Sequence, residues 1–79
     1  MTDVLDLRGL KCPMPALMAR RAVLRAPAGS LIELICDDPL ASLDVPHMCR
    51  QEGFELVSLA REGAITRAVI RRSSSERSG

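Results

Sequence analysis

The sequence predicts an α/β fold of the α+β two-layer sandwich type, with two helices on one face of a mixed four-stranded β-sheet. Short alternating apolar and polar segments flank two segments rich in helix-forming residues, in the order β-α-β-α-β-β. The last two strands adjoin at Glu62-Gly63, a hairpin signal that makes this pair antiparallel. A strand–helix–strand step favours a parallel pair, and a chain of 79 residues forms one core most simply with both helices on the same face.

The first strand and the first helix are separated by Gly9. Residues 4–7 form the strand, and residues 13–26 are rich in alanine, leucine, methionine and arginine, which favour a helix. Pro27-Ala28-Gly29 ends this helix. Small residues recur at i, i+3, i+7 and i+10 and predict a face that packs closely on the sheet: Ala16, Ala19, Val23 and Ala26.

The second strand and the second helix follow in turn. Residues 30–37 alternate, so Ile32, Leu34 and Cys36 are expected on one face of the strand, with Leu31, Glu33 and Ile35 on the other. Asp38-Pro39 ends the strand. Residues 40–52 form a second helix, for which we expect a loose turn, Asp44 as N-cap, Pro46 in the opening turn and Gly53 at the end.

Two alternating strands, 54–61 and 64–72, complete the fold. The sheet face away from the helices stays open and carries Glu33 and Arg67. Residues 3–72 are expected to form a single domain, and the polar residues 73–79 to be a disordered tail. We expect a monomer, although an exposed edge strand leaves weak dimerisation open.

Charge and composition narrow the class of protein. The net charge is +1 at pH 7 and Phe54 is the one aromatic residue, which argues against direct nucleic-acid binding. The apolar runs are too short to span a bilayer, and the acidic N-terminus does not resemble a signal peptide. Three cysteines, an odd number, favour a reduced, cytoplasmic location.

Cys12 is the candidate reactive residue. Pro13 restrains the residue before it to an extended conformation, so a helix begins only after Cys12. Pro13 and Pro15 are tolerated in a first helical turn, where amide groups have no partner within the helix. The cysteine is therefore expected at or just before the N-cap, with the amides of Met14 and Ala16 nearest its sulfur.

Three influences are expected to favour the thiolate of Cys12. They are the positive end of the helix dipole, and the nearby charges of Lys11 and Arg8. The thiolate is the form of cysteine that attacks another sulfur atom. A mildly activated thiol in an interaction module is the alternative interpretation.

A second stripe on the first helix begins within one turn of Cys12. Met14, Met18, Arg21 and Arg25 recur at i, i+4, i+7 and i+11. Adaptable methionines beside arginines suit a surface that docks several acidic partners. A solvated face with two incidental methionines is the alternative.

The remaining cysteines and the single histidine are expected to be structural. Cys36 faces the helices as a small buried residue, and Cys49 lies in the core or is half-buried, with an accessory sulfur role as the minor alternative. His47 is expected at the surface, and no metal site is predicted because His47-Met48-Cys49 lacks the number and spacing of ligands. Asp37 and Asp38 are expected to form a turn or cap before Pro39.

Several of these segments together resemble the TusA/SirA sulfur-carrier family, whose mark is Cys-Pro-x-Pro at the first helix. The similar segments are the run 5–15 with Cys12-Pro13-Met14-Pro15, then Asp37-Asp38-Pro39, Asp44-Val45-Pro46 with Cys49, residues 53–56, and Ile70-Arg71-Arg72. Met14 departs from the glutamate found at that variable position in members that serve tRNA thiolation. This departure bears on the pathway and not on the chemistry.

The resemblance implies a persulfide carrier with Cys12 as the sulfur-accepting residue and Gly9, Pro13 and Pro15 shaping its loop. It implies a cysteine desulfurase or rhodanese-type donor and a downstream acceptor protein, in tRNA 2-thiolation, molybdenum-cofactor maturation or sulfur oxidation. No cofactor and no independent turnover are expected. Pro15 stands where a Cys-x-x-Cys redox motif would have its second cysteine.

Two other functions are alternatives to the sulfur carrier. A regulatory interaction module would use the same helix surface, with Arg8, Lys11 and the second stripe, without transferring sulfur. Such a module predicts that Cys12→Ser keeps every biological effect. A nucleic-acid-binding protein would bind through the open face of the sheet, and its retention on a nucleic-acid column would fall steeply with salt.

Overall fold

The computed structural model describes residues 2–72, which form four strands and two helices. The predicted order β-α-β-α-β-β is confirmed. The elements are β1 (Thr2–Asp6), α1 (Met14–Arg25), β2 (Leu31–Cys36), α2 (Ala41–Glu52), β3 (Glu55–Glu62) and β4 (Ile65–Arg71). Residues 73–79, predicted to be a disordered tail, lie outside the described part of the chain. Within residues 2–72, neither helix is long and apolar enough to cross a membrane.

The four strands form one mixed sheet in the order β1-β2-β4-β3. β1 runs parallel to β2, with Leu5 opposite Leu34, and β4 runs antiparallel to both β2 and β3. The mixed sheet predicted from the sequence is therefore confirmed. Since β1 and β2 are parallel, their carboxyl ends lie at the same edge of the sheet, and the two loops that follow them meet there.

The core lies between the sheet and the two helices. Ile32, Leu34 and Cys36 are buried while the residues between them are half-exposed, as the alternation of β2 predicted. Ala16, Ala19 and Val23 of the small-residue stripe are buried on α1, and Ala26 packs against the core. On the open face, Arg67 lies 3.5 Å from Glu33.

The N-terminus of α2 differs from the prediction. The helix begins at Ala41 with Leu40 as N-cap, and the carbonyl of Leu40 accepts bonds from the amides of Leu43 and Asp44. The predicted N-cap role of Asp44 is wrong, because Asp44 already lies in the first helical turn. Pro46 lies inside the helix, which continues past it to Glu52. Gly53 ends the helix in the left-handed conformation, with φ +79°, as predicted.

The hairpin turn lies one residue later than predicted. Glu62 pairs with Ile65, so the two-residue loop is Gly63-Ala64. β3 is one of the two edge strands of the sheet, with β1 at the other edge, and the register of β3 with β4 shifts at Val57. A bulge of this kind twists an edge strand and disfavours its pairing with another chain.

Candidate active site around Cys12

The loop between β1 and α1 turns at Gly9. Gly9 has φ +91°, a backbone conformation that favours glycine because it has no Cβ atom. Its amide donates a hydrogen bond of 2.9 Å to Oδ1 of Asp37, the residue that follows β2. The loop that carries Cys12 is thus bonded to the loop after the neighbouring parallel strand.

A second carboxylate holds the backbone of Cys12 itself. The amide of Cys12 donates a hydrogen bond to Oδ2 of Asp38, whose Oδ1 accepts a bond from the amide of Leu40 at 3.4 Å. Asp38 is only 6% exposed, so its carboxylate is a buried acceptor with partners on both oxygens. Asp38 therefore caps its own turn, as predicted, and also fixes the position of the cysteine.

The two prolines position the start of α1 directly after Cys12. Pro13 is the N-cap residue and Pro15 is buried in the first helical turn, so the predicted place of Cys12 just before the N-cap is confirmed. The amide of Met14 donates to the carbonyl of Lys11 at 2.7 Å. The expectation that this amide is free to face the sulfur is wrong.

The thiol of Cys12 is exposed and bonded to a carboxylate of α2. Its Sγ donates a hydrogen bond of 2.7 Å to Oδ2 of Asp44. This bond raises the pKa of the Cys12 thiol, and partial desolvation and the charges of Asp44 and Asp38 raise that pKa further.

The expectation that the surroundings favour the Cys12 thiolate is therefore wrong. Arg8 does not supply the expected charge, because its guanidinium bonds both carboxylate oxygens of Asp6, at 2.9 and 2.8 Å. The carboxylates of Asp38 and Asp44 lie against Cys12 instead. Asp44 was not selected as a site residue, because it is 32 positions away in the chain and local patterns mark it only as a helix-capping residue.

A groove of about 410 Å³ opens beside the thiol between α1 and α2. A salt bridge of 2.9 Å between Arg20 and Glu52 crosses it from one helix to the other. The groove is lined from α1 and its N-terminal residues by Cys12, Pro13, Ala16, Leu17 and Arg20, and from α2 by Asp44, His47, Met48, Gln51 and Glu52. The sequence did not predict Leu17 and Arg20 as groove residues. The predicted docking stripe on α1 lies on a neighbouring face of the same helix.

The stripe of α1 proposed as a docking surface is only partly exposed to solvent. Met14 is 41% exposed, and Arg21 and Arg25 are exposed. Met18 is half-buried and packs against the core. Lys11 is exposed in the loop before Cys12. None of these residues lines the groove, so the stripe and the groove are two separate surfaces of α1.

The other two cysteines are buried, and none of the three forms a disulfide. Burial raises the pKa of Cys49 to about 11 and also raises the pKa of Cys36, which keeps both as unreactive thiols. His47 is exposed and lines the groove. Within residues 2–72, no three histidine, cysteine, aspartate or glutamate side chains are grouped to hold a metal ion.

Comparison with known proteins agrees with this architecture. Residues 3–72 match the family model described as sulfurtransferase TusA. The chain belongs to the TusA family of sulfur carriers. A relative from Archaeoglobus fulgidus, named "Putative sulfur carrier protein", is 37% identical over 67 residues, which are 84% of this chain and 87% of that protein.

A solved structure shares the fold of this chain. The crystal structure of the SirA-like protein from Desulfitobacterium hafniense superposes with a TM-score of 0.76. The superposition covers 94% of this chain and 100% of that protein. The sequence identity is 18%, so this similarity establishes the fold alone.

Proposed function

We propose that this TusA-family protein carries sulfane sulfur as a persulfide on Cys12. One observation supports this proposal above the others. Cys12 is exposed at the start of a Cys-Pro-x-Pro sequence that leads into α1, whereas Cys36 and Cys49 are buried. A carrier needs one accessible thiol and no second thiol within reach, because a neighbouring thiol would expel the sulfur and close a disulfide.

The proposed step moves one sulfur atom with no net oxidation or reduction. Sγ of Cys12 loses its proton and forms a bond to the outer sulfur of the donor's persulfide. The sulfur–sulfur bond of the donor breaks, and its inner sulfur leaves with the electron pair and takes up a proton. The carrier then holds Cys12–S–SH. An acceptor thiolate attacks the outer sulfur in turn and restores the Cys12 thiol.

The partners we propose are a cysteine desulfurase or rhodanese-type donor and a downstream acceptor protein. Three free cysteines suit the reducing cytoplasm, where we place the relay. The acceptor pathways proposed are tRNA 2-thiolation, molybdenum-cofactor maturation and sulfur oxidation. Turnover belongs to the relay of donor, carrier and acceptor, so docking matters as much as the thiol.

We assign that docking to the exposed residues around the start and outer side of α1. Arg8 and Lys11 are exposed in the loop before Cys12, and Met14, Arg21 and Arg25 are exposed along the helix. Half-buried Met18 contributes through its exposed edge. Gly9, Pro13 and Pro15 shape the loop and do not contact the partner in this proposal.

Intact-protein mass spectrometry tests the function. The wild-type chain is incubated with a cysteine desulfurase and free cysteine without reductant, and separately with a rhodanese and thiosulfate. We expect one added sulfur atom that is lost on reduction and is absent from Cys12→Ser. Cys49→Ser, which alters a buried thiol, should load like wild type.

Two outcomes would contradict the proposal. If neither donor adds sulfur, and Cys12→Ser keeps the protein's biological effect, the chain is a regulatory interaction module. If sulfur persists on Cys12→Ser, the wrong cysteine has been assigned.

A further inference from the structure

The surroundings of Cys12 conflict with the charge that its reaction creates. Sulfur transfer requires negative charge on Sγ, yet Sγ donates a hydrogen bond of 2.7 Å to Oδ2 of Asp44, and Asp38 accepts a hydrogen bond from the amide of Cys12. Arg8, in the same loop, donates hydrogen bonds from Nε and Nη2 to the carboxylate of Asp6. Within residues 2–72, the charged groups that form hydrogen bonds with Cys12 are thus both carboxylates.

We propose that Asp44 holds Cys12 as a thiol between encounters and selects partners that place a positively charged side chain beside their reactive sulfur. The inference rests on the proposed function, and it names the kind of partner surface that the site fits. A lysine or arginine next to Asp44 would balance its charge, and the thiolate would then form only at the moment of docking.

Such selection would protect an exposed cysteine while it travels between partners. Oxidation and alkylation of a cysteine follow its exposure and the fraction present as thiolate. Cys12 is exposed, so a low thiolate fraction is the protection that remains. The raised pKa of Cys12 agrees with this role of Asp44.

The charged groups around Cys12 determine the electrostatic surface that a docking partner contacts. Asp44 lies in the first turn of α2, one helical turn before His47, and both residues line the groove beside Cys12. At the far end of that groove, Arg20 and Glu52 neutralise each other in a salt bridge of 2.9 Å. The full set is Asp37 and Asp38 from the loop after β2, Asp44, His47 and Glu52 from α2, Arg20 from α1, and Arg8 and Lys11 from the loop before α1.

Three small disulfides of similar size and different charge test the proposal. Cystamine is cationic, 2-hydroxyethyl disulfide is neutral and 3,3′-dithiodipropionate is anionic. In each reaction Sγ of Cys12 bonds to one sulfur of the reagent, and the other half leaves as a thiolate that takes up the proton. No donor protein and no sulfane sulfur are involved, so this test can fail while sulfur loading succeeds, and the reverse.

The variants are Asp44→Asn, which removes the charge, and Asp44→Glu, which restores it. Asp3→Asn is the matched control, because it removes one exposed carboxylate from the start of β1, the end of that strand remote from the cysteine loop. Exchange rates of the full chain are measured at one pH, at low salt and at about 1 M salt, where screening is nearly complete.

We expect the ratio of the cystamine rate to the dithiodipropionate rate to be about tenfold or more higher in wild type than in Asp44→Asn at low salt. Asp3→Asn should match wild type, Asp44→Glu should regain much of the preference, and high salt should remove it. Alkylation of Asp44→Asn by neutral iodoacetamide should reach its midpoint at a lower pH than in wild type.

Two results would overturn the proposal. Equal rate ratios in wild type and Asp44→Asn would show that Asp44 does not select by charge. A fall in all three exchange rates in a folded Asp44→Asn would show that Asp44 activates the thiol instead of restraining it.

Discussion

The protonation of Cys12 is governed by residues that lie far from it in the chain. Asp38 and Asp44 are 26 and 32 positions away, yet they bond its amide and its thiol. The local sequence, with a helix N-terminus and two basic residues, predicts the opposite effect on the thiol. Contacts between elements therefore outweigh the local charges in setting the pKa of this cysteine.

Asp6 provides a pH-dependent test of one local contact. Side-chain and backbone hydrogen bonds from Arg8 hold the pKa of Asp6 at about 2. Because this pKa is depressed, the favourable pairing is present above the ordinary Asp pKa of about 4 and is lost as the pH falls toward 2. The carboxyl carbon of Asp6, followed by NMR, should titrate with a midpoint near pH 2.

Replacing the partner of Asp6 should move that midpoint. Arg8→Gln removes the charged side-chain donors and keeps the backbone amide, so the Asp6 midpoint should rise without fully reaching its ordinary value. Arg61→Gln, which changes an exposed arginine on β3, should leave the midpoint unchanged. An Asp6 midpoint near pH 4 in wild type would contradict the observed pairing.

Among the elements, the two helices differ in how well their sequences predict them. In α1 the start is fixed by two prolines and the buried face by regular spacing of small residues, and both predictions hold. In α2 several residues near the start could serve as the N-cap. The actual N-cap, Leu40, accepts backbone hydrogen bonds with its carbonyl and makes no side-chain cap bond, so its residue type does not mark the start of the helix. Because Asp44 was assigned as the N-cap, its hydrogen bond with the Cys12 thiol was not predicted.

The exposed arginines on the outer side of α1 provide a test of the proposed docking surface. Arg21→Glu combined with Arg25→Glu reverses two exposed charges while leaving the buried face of the helix unchanged. We expect sulfur loading from a donor protein to slow by about tenfold, because complementary charges mainly raise association rates. Loading kinetics by quenched-flow mass spectrometry measure the effect, and circular dichroism confirms that the variant is folded.

A matched double variant separates docking from net charge. Arg50→Glu with Arg61→Glu makes the same change in charge on exposed residues outside α1. This control should load at the wild-type rate. Equal slowing in both double variants would assign the effect to overall charge, and unchanged loading in the α1 variant would remove the stripe from the docking surface.

For the whole molecule, the element order and mixed sheet could be predicted because each depends on local patterns of alternation, proline and glycine. The cysteine loop was predictable for the same reason, since Gly9, Pro13 and Pro15 act on neighbouring residues. The carboxylates around it were not, because the predicted parallel pair of β1 and β2 brings two loops together without showing which side chains bond between them. Asp37 accepts a bond from Gly9 and Asp38 from Cys12, and Asp44 reaches the thiol from α2.

Whether Cys12 carries the sulfur is decided by locating the added atom in the chain. After loading, free thiols and persulfides are alkylated and the chain is cut with trypsin. This separates peptide 12–20, which contains Cys12 alone, from peptide 26–50, which contains Cys36 and Cys49. We expect one additional sulfur on peptide 12–20 and none on peptide 26–50. Additional sulfur on peptide 26–50, with peptide 12–20 unmodified, would contradict it.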